Sequence, residues 1–238
     1  MAIIQNGSSL FTGDAGSGAS EIRRYVIEGD LVEAIIQLPT DLFYNTGIST
    51  YIWVLTKGKA MHRSGRVQLI DASKCFVKRR KNIGSKRVDL DDDCIDLILR
   101  AYEGFDNETY EENGLVVESK VFDKSFFGFT KVTVETAQVD ANGKPVLKKG
   151  KKQPVKGASD TEIIPLSEDT DAYMEKNVLP YNPLAYIDPA KDKIGYEVPF
   201  TRLFYKFEAP ASSDSIFEDI KALEAEETIL MKELFGHA

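Results

Sequence analysis

The sequence predicts an α/β fold, on three observations. Two apolar runs, residues 31–38 and 51–55, are too short for typical helices and rich in β-branched and aromatic residues; they read as strands buried on both faces. A strand-helix-strand alternation leads into them: a strand end at Ala2-Ile3-Ile4-Gln5, a helix over 21–28, then the strand 31–38. That pattern belongs to a sheet with a right-handed crossover. No helix separates 31–38 from 51–55, so the later strand is expected to run antiparallel in an otherwise parallel sheet.

Each element has a local reason. Ser20 is placed to cap the helix and Gly29 to end it. Ile22, Tyr25 and Val26 share one side at helical spacing and are expected to face the core, leaving Arg23 and Arg24 solvated or, alternatively, in contact with phosphate. The glycine-rich loop 13–18 before the helix is a weak phosphate-binding signal, since no Gly-Lys-Ser/Thr follows and the spacing is not the dinucleotide fingerprint. Pro39 closes the strand 31–38. The segment after it sets Phe43 and Tyr44 beside Asn45 and Gly47, residues that accept turn conformations. A loop between two buried strands presents side chains from a rigid scaffold. The two aromatics read either as a flat stacking surface or as a cover on the sheet end.

Residues 66–71 read as another strand. The most basic stretch follows, Lys74, Lys78, Arg79, Arg80, Lys81, Lys86 and Arg87 with Phe76 among them; it fits a phosphate-contacting loop or a solvated turn. Val88-Asp89-Leu90-Asp91-Asp92-Asp93 reads as a helix start, where the dipole favours acids, and its acid run 91–93 lacks EF-hand spacing. That helix is expected to reach Tyr102 and to bury Ile95, Leu97, Ile98 and Ala101. Residues 114–135 alternate as strands, and 139–156 are polar and lysine-rich around the hairpin signal Asn142-Gly143, fitting a β-ribbon or a mobile loop. Pro180, Pro183, Pro189 and Pro199 make the next region irregular. Ser212-Ser213-Asp214-Ser215 offers caps for a last helix, whose Ile216, Ile220, Leu223, Leu230 and Leu234 fall close to one stripe. The stripe suits packing on its own domain or on a partner.

With 238 residues, 42% of them hydrophobic, the chain can build a core in one or two domains. No run reaches transmembrane length and no signal peptide opens the chain, so no membrane role is expected. Cys75 and Cys94 form no metal-like or redox-like pair, and His62 and His237 are too few and scattered for a metal site. A cytoplasmic protein with reduced thiols is the simplest expectation. The net charge of −8 argues against a general nucleic-acid coat but allows a local basic face.

Several segments share a further property. They are Leu42-Phe43-Tyr44-Asn45-Thr46-Gly47 within 31–59, and upstream Gln5-Asn6-Gly7-Ser8-Ser9-Leu10-Phe11, Gly13-Asp14-Ala15-Gly16-Ser17-Gly18 and Ser20-Glu21-Ile22-Arg23-Arg24. Downstream lie Ser119-Lys120-Val121-Phe122-Asp123, Phe127-Gly128-Phe129, Lys131-Val132-Thr133-Val134-Glu135, and Lys193-Ile194-Gly195-Tyr196-Glu197-Val198-Pro199-Phe200-Thr201-Arg202 with Phe204-Tyr205. In this order they closely resemble the HsdM family, the modification (M) subunits of type I restriction-modification enzymes, which are DNA adenine-N6 methyltransferases.

The sequence also departs from that family. Its Phe-x-Gly-x-Gly cofactor loop and its catalytic Asn-Pro-Pro-Phe/Tyr tetrapeptide are not present; in the family both lie N-terminal to the part this chain resembles. Asn182-Pro183-Leu184-Ala185 lacks the second proline and the aromatic and reads as an ordinary turn. The Arg-Pro-Leu expected after Glu135 is missing too, which leaves residues 136–160 without an assigned role.

The resemblance implies the C-terminal part of a Rossmann-like S-adenosylmethionine-dependent methyltransferase sheet over 1–112, an α+β extension over 113–210 and an amphipathic C-terminal helix for subunit contact over 211–238. The parent uses S-adenosylmethionine, while the fragment is expected not to bind it alone, to hold no catalytic residue and to be inactive by itself. The target adenine of double-stranded DNA is flipped out of the helix; by position Phe43 stacks on it, with Tyr44 as the alternative, and Asn45, Thr46 and Thr50 line the base-pocket loop. Lys78, Arg79, Arg80 and Lys81 are candidates for the DNA backbone. The last helix is expected to pack on the specificity (S) subunit, and the restriction (R) subunit completes the complex. Two alternatives stand beside this: a stand-alone non-enzymatic DNA-binding or scaffold module, and a phosphate-loop enzyme using 13–18, which lacks a catalytic lysine and metal ligands. An incomplete sheet is expected to expose apolar edges and to self-associate or repack its N-terminus.

Overall fold

The computed structural model describes residues 1–207 and 209–236, so His237 lies outside the described residues. The chain divides into two units, Met1–Leu203 and Phe204–Ala238. In order, the elements are β1 (Ala2–Asn6), α1 (Ser8–Phe11), α2 (Gly18–Glu28), β2 (Val32–Gln37), β3 (Thr50–Leu55), β4 (Arg66–Asp71), β5 (Val77–Ile83), β6 (Lys86–Asp89), α3 (Asp92–Gly104), β7 (Thr109–Glu112), β8 (Leu115–Asp123), β9 (Gly128–Thr136), β10 (Leu147–Lys148), β11 (Lys151–Lys152), β12 (Asp160–Pro165), α4 (Thr170–Asn177), β13 (Ala185–Ile187), β14 (Lys193–Tyr196), α5 (Phe200–Phe204) and α6 (Ser213–Phe235).

The first sheet has the order β1-β3-β2-β4-β8-β7. As expected, β3 is antiparallel to its neighbours β1 and β2. The expectation that the rest is parallel is corrected: only β2 and β4 pair in parallel, and β4, β8 and β7 are antiparallel. For β7 and β8 the reason is connection length. The two residues between β7 and β8 suffice for a hairpin, whereas a parallel return needs a crossover of a dozen or more. β7 and β8 lie on either side of the boundary expected at 112/113, and they pair with each other inside this sheet. In the second sheet β9 is central, with β12 on one side and β13 and β14 on the other.

α2 is oriented differently from the expectation. Ser17, not Ser20, caps it, with its Oγ accepting from the Ser20 amide. Ile22 and Tyr25 are 67% and 72% exposed, while Ser20, Arg23 and Ile27 are buried. The cause is β14. The Arg23 guanidinium donates through Nε to the Tyr196 carbonyl at 2.6 Å and through Nη1 to the Ser9 carbonyl, and the Tyr196 amide donates to Ser20 Oγ. A buried strand end with an amide and a carbonyl to satisfy recruits the polar face of the helix. Burial pulls the Arg23 pKa down from its usual value and Glu197 opposes that. Arg24 is half-exposed and pairs with Glu28.

α3 is capped by the Asp91 carboxylate, which accepts from the Cys94 amide, so the acid run does serve as a helix start. Cys94, Leu97, Ile98 and Ala101 are buried, whereas Ile95 is exposed, contrary to expectation. Val88 and Asp89 belong to β6 instead of this helix. No basic residue sits in the last turn of α3; its carbonyls are satisfied from outside. Gln68 Nε2 donates to the Ala101 carbonyl at 2.7 Å, and Arg63 Nη2 donates to the Tyr102 carbonyl at 2.6 Å. The Asn182 segment is a turn, as read from the sequence: Asn182 Nδ2 donates to Thr136 Oγ1 and its Oδ1 accepts from the Leu184 amide.

Arg23→Ala leaves the Tyr196 carbonyl buried and unpaired. It is expected to lower the unfolding free energy by about 2–3 kcal/mol, read from urea denaturation; a change within 0.5 kcal/mol would show that Arg23 does not join α2 to β14. Burial, with Cys94 and Asp91 nearby, pushes the Cys75 thiol up to about 12. The unfolded thiol titrates near 8.5. The stability from keeping it neutral is therefore complete below that pH and is lost as pH rises towards about 12. The urea midpoint should fall from pH 8 to pH 11 less in a Cys75→Ala variant than in the parent.

Candidate functional site

β2 and β4 run side by side with Gln37 opposite Asp71 at their carboxyl ends, and the Ala72 amide donates to the Gln37 carbonyl. In α/β sheets the carboxyl ends of parallel strands are where ligands are bound. The loop 41–49 leaves β2 here, and the β5–β6 hairpin follows β4 from the same edge. The two segments meet. The Arg87 amide donates to the Asp41 carbonyl at 2.8 Å, and the Ser85 amide donates to the Tyr44 carbonyl at 2.9 Å. Gly84 sits at the hairpin tip with φ +58°, and a Cβ there would lie 2.8 Å from the Tyr44 carbonyl and 3.0 Å from its ring. Only glycine allows this approach.

Within the loop, Phe43 is half-buried and packs against the core around Leu38, Leu42, Ile70 and Leu97. Tyr44 is 59% exposed. Asn45 is exposed, Thr46 is half-buried and forms an isolated bridge with Phe43. Thr50 is placed differently from the other four: it is the first residue of β3, opposite Asn6, and is buried. Its Oγ1 has no hydrogen-bond partner in the protein.

The basic stretch is a β-hairpin, not a loop or turn, with an irregularity between Lys78 and Ile83. Residues 77–89 carry six cations and one carboxylate. That carboxylate, Asp89, pairs with Arg79 and with Lys86 at 2.7 Å. The hydrogen bond from Lys86, then Arg79, holds its pKa below the usual carboxylate value. Lys78, Arg80, Lys81 and Arg87 are exposed. Sequence reasoning singled out the aromatic loop and the basic stretch separately. It missed that Gly84 joins them, although a lone glycine between Ile83 and Ser85 in a charged strand was a turn signal.

The glycine-rich loop 13–18 has a structural role. Ser17 caps α2, and the Asp14 carboxylate pairs with Lys131 at 2.8 Å. On the far edge of the first sheet, β1 has a neighbour on one side only. Between it and α2 runs an apolar groove of about 310 Å³ lined by Ile3, Ile22, Val26, Trp53 and Leu55 among others. Among the described residues no helix is long and apolar enough to cross a membrane, and no three His, Cys, Asp or Glu side chains are grouped to hold a metal ion.

A family model for N-6 DNA methylases matches residues 1–140, more than half of the chain. The chain belongs to the N-6 DNA methylase family. It is similar to the Type I restriction enzyme MjaVII methylase subunit of Methanocaldococcus jannaschii, with 34% identity over 107 residues, 45% of this chain and 18% of that one. It is also similar to the Type I restriction enzyme HindI methylase subunit of Haemophilus influenzae, with 44% identity over 71 residues, 29% and 15% of the two chains. The matched stretches thus span less than a fifth of these relatives. Among solved structures, the type I restriction-modification system methyltransferase subunit from Streptococcus thermophilus aligns over 52% of this chain and 22% of its own, at 27% identity and a TM-score of 0.42.

Gly84→Ala forces a Cβ against the Tyr44 carbonyl and a side chain into positive φ. It should cost about 1–3 kcal/mol and release the hairpin from the loop. Hydrogen exchange at the Ser85 and Arg87 amides is the readout, and unchanged protection would show that the two segments are held together by something else.

Proposed function

We propose that this chain is part of the modification subunit of a type I restriction-modification enzyme, which transfers a methyl group from S-adenosylmethionine to adenine N6 in DNA. The observation that carries the reading is the junction of the aromatic loop with the basic hairpin at the carboxyl end of β2 and β4, in a chain of the N-6 DNA methylase family. A base-stacking surface and a phosphate-binding surface side by side are what a base-flipping protein needs.

In this reading the chain supplies one wall of the base pocket. A flipped adenine stacks on Phe43 or Tyr44, a contact worth about 1–3 kcal/mol per base. Tyr44 offers the open ring, and Phe43 is anchored by the core. Asn45 and Thr46 flank the nucleotide, and the buried Thr50 supports the loop from β3. Lys78, Arg80 and Lys81 contact backbone phosphates, with Arg79 partly neutralised by Asp89. The residues present do not fit S-adenosylmethionine. The groups of the glycine-rich loop before α2 are used within the protein, Ser17 as the helix cap and Asp14 in a pair with Lys131, and the family's glycine motif and its Asn-Pro-Pro-Phe/Tyr tetrapeptide are not in the sequence. The cofactor and the catalytic asparagine belong to another part of the protein, and the chain alone is inactive.

The unpaired edge of β1 and the apolar groove beside it support a Rossmann-like sheet that continues on that side. In the second unit, Ile216, Ile220, Leu223, Leu230 and Leu234 of α6 are all exposed. This supports α6 as the contact with the specificity subunit, the restriction subunit completing the assembly.

The test joins this chain to the amino-terminal part of a type I modification subunit, adds the specificity subunit and measures methyl transfer to adenine. Phe43→Ala and Tyr44→Ala should each be compared with the parent. The residue that carries the base should lower transfer about 5–150-fold, with overall duplex affinity within twofold and reduced 2-aminopurine fluorescence at the target position. No methylation by the restored parent protein would leave a binding or scaffold module as the function, and full transfer by both variants would remove the base-stacking role.

A further inference from the structure

We infer that residues 137–156 form a lysine-tipped β-ribbon that contacts the phosphate backbone of duplex DNA, as a second electrostatic surface separate from the β5–β6 hairpin. Duplex DNA as the polyanion rests on the function proposed above; the ribbon's geometry and charge do not.

The ribbon is built from its own backbone bonds. The Gln138 amide donates to the Gln153 carbonyl, the Gln153 amide to the Val146 carbonyl, and the Val146 amide back to the Gln138 carbonyl, all within 2.9 Å. β10 and β11 extend the ladder to a tip at Lys149-Gly150. Its β11 strand is held at Tyr186, whose hydroxyl donates to the Lys152 carbonyl and whose ring centre lies 5.2 Å from Lys152 Nζ.

The two turns of this ribbon follow different rules. At Asn142-Gly143, the Asp140 carboxylate accepts from the Asn142 and Lys144 amides and Gly143 takes the positive φ, as turn chemistry requires. At the tip, Lys149 itself takes φ +52° before Gly150, where asparagine, aspartate or glycine is the usual choice. Lys148 and Lys151 are register partners, so two like charges face each other across the ladder, which disfavours pairing. A site that breaks two local rules in the same direction is expected where function demands it. Here both breaches concentrate positive charge.

The concentration is large against the whole chain. Residues 140–157 hold six lysines and one acid in a protein of net charge −8, and that acid is engaged by its own turn. Lys144, Lys148, Lys149, Lys151 and Lys156 are exposed. None of them takes part in the ion pairs of the described residues. Lysines without carboxylate partners on a two-stranded tip can displace the counterions that a duplex carries. An acidic protein surface lacks that condensed counterion layer.

The experiment measures duplex binding by this 238-residue chain across a salt series, using fluorescence anisotropy with a random-sequence duplex. The variant is Lys148→Gln, Lys149→Asn, Lys151→Gln. It leaves Lys152 on Tyr186, and asparagine suits the left-handed turn, so the variant should unfold at the same urea concentration as the parent or a higher one. The slope of log affinity against log salt should become shallower by about 3, and affinity at the lowest salt should drop at least tenfold. An equal slope in parent and variant, no measurable binding by the parent at low salt, or equally tight binding to polyglutamate would each overturn the inference. Methyl transfer by the restored enzyme is read separately. Methylation with an unchanged salt slope would refute the ribbon alone, and a changed slope without methylation would refute the enzymatic reading alone.

Discussion

The parallel pairing of β2 with β4 is the contact on which the candidate site depends. It sets Gln37 opposite Asp71, so the chain leaves both strands at the same edge and height. One exit becomes the aromatic loop and the other leads to the basic hairpin. Their closeness follows from the register of the sheet. A one-residue slip would turn the β2 side chains to the opposite face and carry the loop with them. That register is protected by burial: Ala34, Ile35, Leu69 and Ile70 are fully excluded from solvent, and exposing such a set is costly.

Two buried polar nodes hold the surroundings. Gln68, on β4, donates to the Ala101 carbonyl and to Ser119 Oγ, which in turn donates to the Asp106 carbonyl. Arg63 lies 4.5 Å from the ring centres of both Tyr102 and Phe105 and 3.4 Å from the Glu33 carboxylate. Together they dock α3 against the first sheet by its carboxyl end. Arg23 does the equivalent for α2 and β14. Buried polar networks are stabilising when every member is satisfied, and the partners here are largely backbone groups that a helix or strand end leaves free.

Charge is distributed unevenly in a way that complements this frame. The acidic excess of the whole chain coexists with two β-hairpins rich in Lys and Arg. One, at 77–89, is anchored to the aromatic loop and carries an internal Asp89 that limits its field. The other, around Lys149, has no carboxylate of its own at the tip. Steric access and salt screening act differently on the two. A pair held within the protein keeps its strength at ionic strengths that screen an exposed tip.

Much of this protein was legible from residues alone. The strands at 32–37 and 50–55, the antiparallel third strand, the acid-capped start of α3 and the turn at Asn142-Gly143 follow from short-range periodicity, capping and turn chemistry, which the local sequence determines. The motifs that mark the N-6 DNA methylase family were legible for the same reason, being contiguous in the chain. The tertiary structure alone decided which face of α2 is buried, because the choice was made by Tyr196, 173 residues away from Arg23. It alone brought Gly84 against Tyr44 and ended the parallel run after a single pair. Periodicity announces that a helix or strand has two unlike faces. Which face turns inward depends on the amides, carbonyls and apolar groups that distant segments present, and those meet only when the chain has folded.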